Sequence, residues 1–304
     1  MARMATLTRS KPARDAAAES DAERLRHDIT RTLRCTGDDP LSRGYAAVPG
    51  FLPILWEAVR ANAETRAFEE ASDRLRAEAV HAAAGMERLS VLAQAQLGES
   101  QACQAESALL LYHYIDAKLL LLVSAACLAL ESPGAASSFD RSSVSGELVE
   151  RGLPARMAPM ELVDDRGADP PVRRVFSDAR RTFGLEEVPV DFRTLALWPR
   201  YLSSSWRRLK PKTGTAEYRA ALSRLTEQAR ASAARLPHPV PLTAEALALT
   251  GHDVSIAAAR SLALEKALTL ATLNASLLVL DWQAPEVARR SPFPARARRQ
   301  TGEA

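Results

Sequence analysis

The sequence predicts an all-α protein, and three observations carry that expectation. Only 13 Gly and 5% aromatic residues stand among abundant Ala, Leu, Arg and Glu, side chains that lose little rotamer freedom in a helix. No stretch alternates apolar and polar residues for long enough to argue a sheet. The chain also matches itself without a gap over roughly a hundred residues when Asp28 is laid on Asp178. The expected architecture is therefore two tandem helical repeats related by a pseudo-twofold axis and joined by a long linker.

The elements follow from that alignment in order. "HDITRTLR" from His27 falls on "SDARRTFG" from Ser177, pairing Asp28 with Asp178 and Arg31 with Arg181, and opens each copy. "VPGFLPILW" from Val48 falls on "WPRYLSSSW" from Trp198, pairing Phe51 with Tyr201 and Trp56 with Trp206. "FEEASDRLRAEA" from Phe68 falls on "YRAALSRLTEQA" from Tyr218; Phe68, Ala71, Leu75 and Ala79 then share one helix face. The long apolar helix ending at Leu130 falls on the one ending at Leu280. These matches place a disordered tail at residues 1–20, repeat 1 at 21–131, a linker rich in Ser, Gly, Pro and Asp at 132–170, repeat 2 at 171–283 and a disordered basic tail at 284–304. Two such copies cover each other's apolar faces and leave a crevice between them.

Composition bounds the function. A net charge of +3, with much of the basic excess in "RRSPFPARARR", gives no folded basic surface and no nucleic-acid partner. Cys35, Cys103 and Cys127 are widely spaced and form no metal-binding or disulfide framework, which fits a reducing cytoplasm. "MARMATLTRSKPARDAAAES" has no apolar segment after its basic residues and does not read as a secretory signal. "LLLYHYIDAKLLLLVSAACLAL" is interrupted by His113, Asp116 and Lys118, so it reads as a buried core helix and not a membrane span.

One residue breaks the repeat in a chemically telling way. Asp191 lies between apolar neighbours in "VPVDFRTLALW", and its partner in the first copy is Leu41. An ionised carboxylate in apolar surroundings is costly unless it is paired or used. The competing reading is an N-cap for the helix "FRTLALW". Tyr112, His113 and Asp116 also lie within two helical turns, with Tyr112 and Asp116 on one face; they read as the polar flank of a core helix. Asp253 in "GHDVS" reads as an N-cap.

A duplicated helical chain with a "DITRTLR"-like opening in each half and a single Asp heading "DFRTLALWPRYL" resembles the DehI-type 2-haloacid dehalogenases, over roughly Asp21 to Trp282. The resemblance implies a cofactor-free homodimeric hydrolase of short 2-halogenated carboxylic acids. In it an Asp at the position of Asp191 activates water, which displaces halide at C2 with inversion and without an ester intermediate. It also implies an aromatic pocket wall at Phe51, opposite Asp191, and a water-holding residue at Ser205. The sequence departs from the family pattern at Ser205, where an Asn is expected, and at Val190, where a Ser is expected before the Asp. Asn274, in the apolar "LATLNASLLVL", is a second source of the amide, and Arg193 a partner for the substrate carboxylate unless it forms a structural ion pair. A non-catalytic helical binding module of the same fold and an alkylhydroperoxidase-like or carboxymuconolactone decarboxylase-like enzyme are the alternative readings.

Overall fold

The computed structural model describes residues 11–36, 40–131, 146–157 and 161–298. The helices are α1 (Lys11–Leu33), α2 (Pro40–Gly44), α3 (Phe51–Ala63), α4 (Arg66–Ala84), α5 (Leu92–Ala95), α6 (Glu99–Glu131), α7 (Pro170–Phe183), α8 (Val190–Leu195), α9 (Pro199–Thr213), α10 (Ala216–Ala233), α11 (Ala244–Leu249), α12 (Val254–Val279) and α13 (Pro285–Ala288). Among the described residues no strand forms, and only two isolated bridges occur, Thr65 with Leu148 and Val149 with Ala297.

Helix α6 explains the arrangement. Its 33 residues span about 50 Å, and from Leu111 to Cys127 every residue is buried. A helix apolar around its whole circumference has to be surrounded by other helices. Here α12, equally apolar, packs along it, and α10, α4, α8 and α3 cover the rest. Both helices are long and apolar enough to cross a membrane, but 89% of the α6 window and 67% of the α12 window is buried inside the protein.

Two clusters of buried side chains form the core, and each draws on both halves of the chain. Phe51, Trp56 and Leu120 pack in one cluster with Ala229, Leu236, Leu247 and Leu268. Val80 and Leu109 pack in the other with Phe192, Trp206 and Leu273. The expected units 21–131 and 171–283 are therefore not two separately packed cores. Equivalent ties do recur in them. Trp56 Nε1 donates to Asp28 at 2.8 Å and Trp206 Nε1 to Asp178 at 2.9 Å. Thr65 caps α4 through the Phe68 N–H, and Thr215 caps α10 through the Tyr218 N–H.

The ends of the chain differ from expectation. The helix α1 begins at Lys11, inside the segment expected as a tail, because "ARDAAAESDAERLRHDI" is made of strong helix formers. The basic segment after Ala284 is ordered through Arg298. Helix α13 offers its last carbonyls to buried Arg76, with Arg76 Nη2 donating to Arg289 O at 2.8 Å. Buried Arg34 donates to Phe293 O and Pro294 O at 3.3 Å, while the Phe293 ring meets Tyr114 edge-on at 5.3 Å. Val149 of the expected linker bridges to Ala297, so linker and terminal segment hold each other. Residues 1–10, 132–145 and 299–304 of the expected tails and linker lie outside the described residues.

The terminal segment is thus a cap on two buried guanidiniums. Removing everything after Gln283 should lower the unfolding free energy by several kcal/mol, about 1–3 for each guanidinium that loses its carbonyl acceptors, measured by urea denaturation of the two chains. An unchanged midpoint would mean that the segment contributes nothing to stability.

Candidate active site

The short helix α8 is set by Pro189, whose φ of −52° leads directly into it. Phe192 and Leu195 turn into the core, where the Phe192 ring meets Phe183 at 6.1 Å and Trp206 at 5.7 Å. That anchoring turns Asp191 and Thr194, three residues apart, toward α6. On α6, Tyr112 and Asp116 are four residues apart and face α8. The Tyr112 hydroxyl and Thr194 Oγ1 are 2.6 Å apart, clamping the two helices together. One turn along, Asp116 and Asp191 both line a cavity of about 300 Å³.

The walls are mainly apolar. Leu185, Val188, Pro189 and Val190 enter from the α7–α8 connection, and Leu264, Ala267, Leu268 and Ala271 from one face of α12. Charged residues at the lining are mostly occupied. Arg43 pairs with Glu187 at 3.2 Å, and Arg260 pairs with Glu186 at 2.8 Å and donates to Gly44 O. Lys266 is exposed and has no ion pair among the described residues.

Both carboxyl groups are almost fully buried, Asp116 at 4% and Asp191 at 2% exposure. Asp191 Oδ1 accepts the Phe192 N–H at 2.9 Å, one of the donors that every helix start leaves over. Its Oδ2 has no partner, and neither does Oδ2 of Asp116. Burial pushes the Asp191 carboxyl up to about 7, against the restraining Phe192 N–H. Burial first, and then the facing Asp191 charge, holds the Asp116 carboxyl well above the usual carboxylate range. Among the described residues no cluster of His, Cys, Asp and Glu suits a metal ion.

The expected site residues separate. Val190 lines the cavity beside Asp191. Asp191 is not an N-cap: that position is Pro189, and Asp191 is the second residue of α8. Phe51 does not line this cavity; it is buried against Tyr45 at 5.1 Å and His252 at 6.2 Å, because α3 turns its apolar face into the first core cluster. Arg193 points away and serves structure, its Nε donating to Val163 O at 3.1 Å with Asp164 nearby. Ser205 is buried on α9 with its Oγ unpartnered, outside the cavity lining. Asn274 is one turn beyond Ala271 on α12 and accepts the Tyr218 hydroxyl at 2.7 Å. That tyrosine lies in the field of Asp191, so the pair backs the site without lining the cavity.

Asp116 is the residue that sequence reasoning left as a helix flank. The available signal was the shared face of Tyr112 and Asp116 inside a mainly apolar helix. His113, adjacent in sequence, faces a separate cavity under the terminal segment near Met157 and Phe293, its two ring nitrogens without partners.

Comparison with known proteins points to one family. The family described as "Halocarboxylic acid dehydrogenase DehI" matches residues 41–188. A configuration-inverting 2-haloacid dehalogenase of Pseudomonas sp. (strain 113) is 30% identical over 68% of this chain and 68% of its own length. An (R)-2-haloacid dehalogenase of Rhizobium sp. (strain NHG3) is 29% identical over 66% of this chain and 78% of its own. A solved D-2-haloacid dehalogenase in complex with L-LA superposes with a TM-score of 0.73 at 20% identity, covering 86% of this chain and 92% of that one.

The raised carboxyls have a consequence for stability. Because folding raises the Asp191 pKa from 3.8 to about 7, the native state holds a proton that the unfolded chain releases between those values. Stability is therefore greatest at the acid end of that window and falls as pH rises through it. Asp191→Asn should remove part of that fall and stabilise the protein at pH 8, by up to about 4 kcal/mol at about 1.4 kcal/mol per pKa unit. Thermal melts of both proteins at pH 5 and pH 8 test this; parallel melting curves would contradict it.

Proposed function

The chain belongs to the DehI family of 2-haloacid dehalogenases, and on that premise we propose that Asp191 is the base that activates water at C2 of a short 2-haloalkanoic acid. The protein is a hydrolase of carbon–halogen bonds in 2-haloacids and acts with inversion. The observation that carries the proposal is the unpartnered Asp191 Oδ2, buried in the wall of an apolar cavity. A solvated carboxylate is a poor base toward water. One desolvated to about 7 is matched to working pH and still ionised in a large fraction of molecules.

The reaction then follows from placement. A water held by Asp191 Oδ2 gives up a proton as its oxygen attacks C2, and halide leaves from the opposite side, which inverts the centre. No bond forms to the enzyme, so no ester has to be hydrolysed. The apolar face of α12 excludes bulk water and holds the alkyl part of the substrate. A cavity of about 300 Å³ is at the small end of ligand sites and suits a short acid with one water. The substrate carboxylate is met by Lys266, whose ammonium has no competing ion pair among the described residues; Arg193, committed to Val163 and Asp164, is not available for it.

Three further points belong to the same reading. The two halves are copies of one helical unit, which the matching Asp28–Trp56 and Asp178–Trp206 ties support. The working form is a homodimer; exposed Leu249, Ile256 and Leu262 of the α11–α12 segment are apolar surface for its interface. The protein works in the cytoplasm, where unpaired Cys35, Cys103 and Cys127 stay reduced.

Halide release from both enantiomers of 2-chloropropanoate tests the reading. The wild type should release chloride and form 2-hydroxypropanoate of opposite configuration. Asp191→Asn should lower kcat by about 10²-fold or more; activity above a tenth of wild type would remove Asp191 from the mechanism. Turnover in heavy-oxygen water should label the product hydroxyl and leave the Asp191 carboxylate unlabelled, since label there would make Asp191 a nucleophile. Below pH 7, kcat/KM should fall as Asp191 takes up its proton. Lys266→Met should raise KM about tenfold with kcat little changed, as expected of a group that binds ground and transition states equally.

A further inference from the structure

Two carboxyl groups, one from each half of the chain, line one small cavity, and each has a buried oxygen without a hydrogen-bond partner. Hydrolysis by a single base accounts for only one of them. We propose that Asp116 carries the proton of this pair and acts as a hydrogen-bond donor to the attacking water, holding it against Asp191. The proposal rests on the dehalogenase reading of the same site.

Two like charges facing each other in an apolar cavity cannot both be ionised at low cost. The proton goes to the group whose anion is less well supported. Asp191 Oδ1 receives the Phe192 N–H at 2.9 Å, whereas Asp116 sits in the middle of α6, where backbone N–H groups are used within the helix. The helix start therefore favours the anion on Asp191 and the middle of α6 leaves the proton on Asp116. Burial and the facing Asp191 charge both hold the Asp116 carboxyl above the usual carboxylate range.

The surrounding charges do not reverse this. At the cavity, α2 brings Arg43 and the α7–α8 connection brings Glu186 and Glu187, with Arg43 tied to Glu187. Helix α12 brings Arg260, tied to Glu186, and exposed Lys266. Helix α10 brings the Tyr218 hydroxyl, donated to Asn274, and α6 itself brings the Tyr112 hydroxyl, held by Thr194. No cation on these elements is paired with Asp116 among the described residues.

A protonated carboxyl offers one O–H donor, and an ionised one accepts only. Attacking water has two hydrogens and two lone pairs. Asp191 takes one hydrogen, one lone pair attacks C2, and the Asp116 O–H occupies the other lone pair. The water is thereby oriented from the side on which both carboxyls stand, leaving the far side of C2 for the departing halide. Asp116 keeps its proton throughout.

The proposal makes Asp116 a group whose protonated form is required, so kcat/KM falls again at high pH as Asp116 ionises. The ascending limb belongs to Asp191, and the two apparent values belong to the pair. Asp116→Leu removes the donor while keeping an apolar side chain of similar size, and should lower kcat about tenfold or more with KM nearly unchanged. Asp116→Asn restores an N–H donor; it should recover most of the activity lost in Asp116→Leu and abolish the high-pH limb while leaving the low-pH limb in place. Asp116→Asn as inactive as Asp116→Leu, or Asp116→Leu as active as wild type, would overturn the proposal. A measurement independent of turnover separates this from the dehalogenase reading. The infrared carbonyl band of a protonated, buried carboxylic acid should be present in the wild type at pH 8 and lost in Asp116→Asn. Its absence from the wild type would refute the placement of the proton. Presence of the band in a wild type that releases no halide would sink the proposed chemistry and keep the proton on Asp116.

Discussion

Helix α6 is buried on every side from Leu111 to Cys127, and α12 nearly so from Leu268 to Val279, and that constraint orders the rest of the molecule. A helix of that kind has no face for solvent, so other helices must surround it. The two pack along each other, and α3, α4, α8 and α10 close around them. Neither half of the chain has enough amphipathic helices to cover its own long helix. Each core cluster is completed by the other half, as where Leu268 joins Phe51 and Leu120, and Val80 joins Phe192 and Trp206. A crevice at the α6–α8–α12 meeting, lined by Asp116 and Asp191, is the remainder of this mutual covering.

Ionised groups on a buried helix are costly unless they are paired or hydrogen-bonded. Lys118 on α6 is held by Glu69, Leu33 O and the Tyr114 hydroxyl. Glu265 on α12 is held by Arg230 and Ser124. Arg34 and Arg76 reach carbonyls of the terminal segment. These buried charges have charged or hydrogen-bonding partners, which is how an interior accommodates them. Asp116 and Asp191 are treated differently: each leaves an oxygen unsatisfied in one shared cavity. That difference makes their carboxyls weak acids. The native state thereby accepts a less stable ionised form at neutral pH.

Much of this was legible in the sequence because it depends on local or periodic information. Helical composition and the two long apolar segments are properties of short stretches. Asp191 was conspicuous because its neighbours are apolar and Leu41 stands where a copy would be. Other residues stand apart from the cavity because side-chain direction decides. Phe51, Ser205 and Arg193 are each near the site in the alignment, yet helix rotation turns Phe51 into the core against Tyr45, Ser205 away from the cavity lining and Arg193 toward Val163 O. The basic segment after Ala284 looked like a free tail because what orders it, buried Arg34 and Arg76, lies some two hundred residues earlier in the chain.

The sequence by itself determined that the chain is helical, which two helices had to be buried, and that Asp191 is a carboxylate in apolar surroundings. Those follow from composition, periodicity and neighbours, which act over a few turns. Only the tertiary structure decided that Asp191 would face Asp116. The two stand on helices that are remote in sequence, and the Tyr112–Thr194 contact that aligns those helices exists only once α8 has been anchored by Phe192 in the core. A carboxyl's proton affinity depends on what faces it across a cavity, and that is set by packing between distant segments.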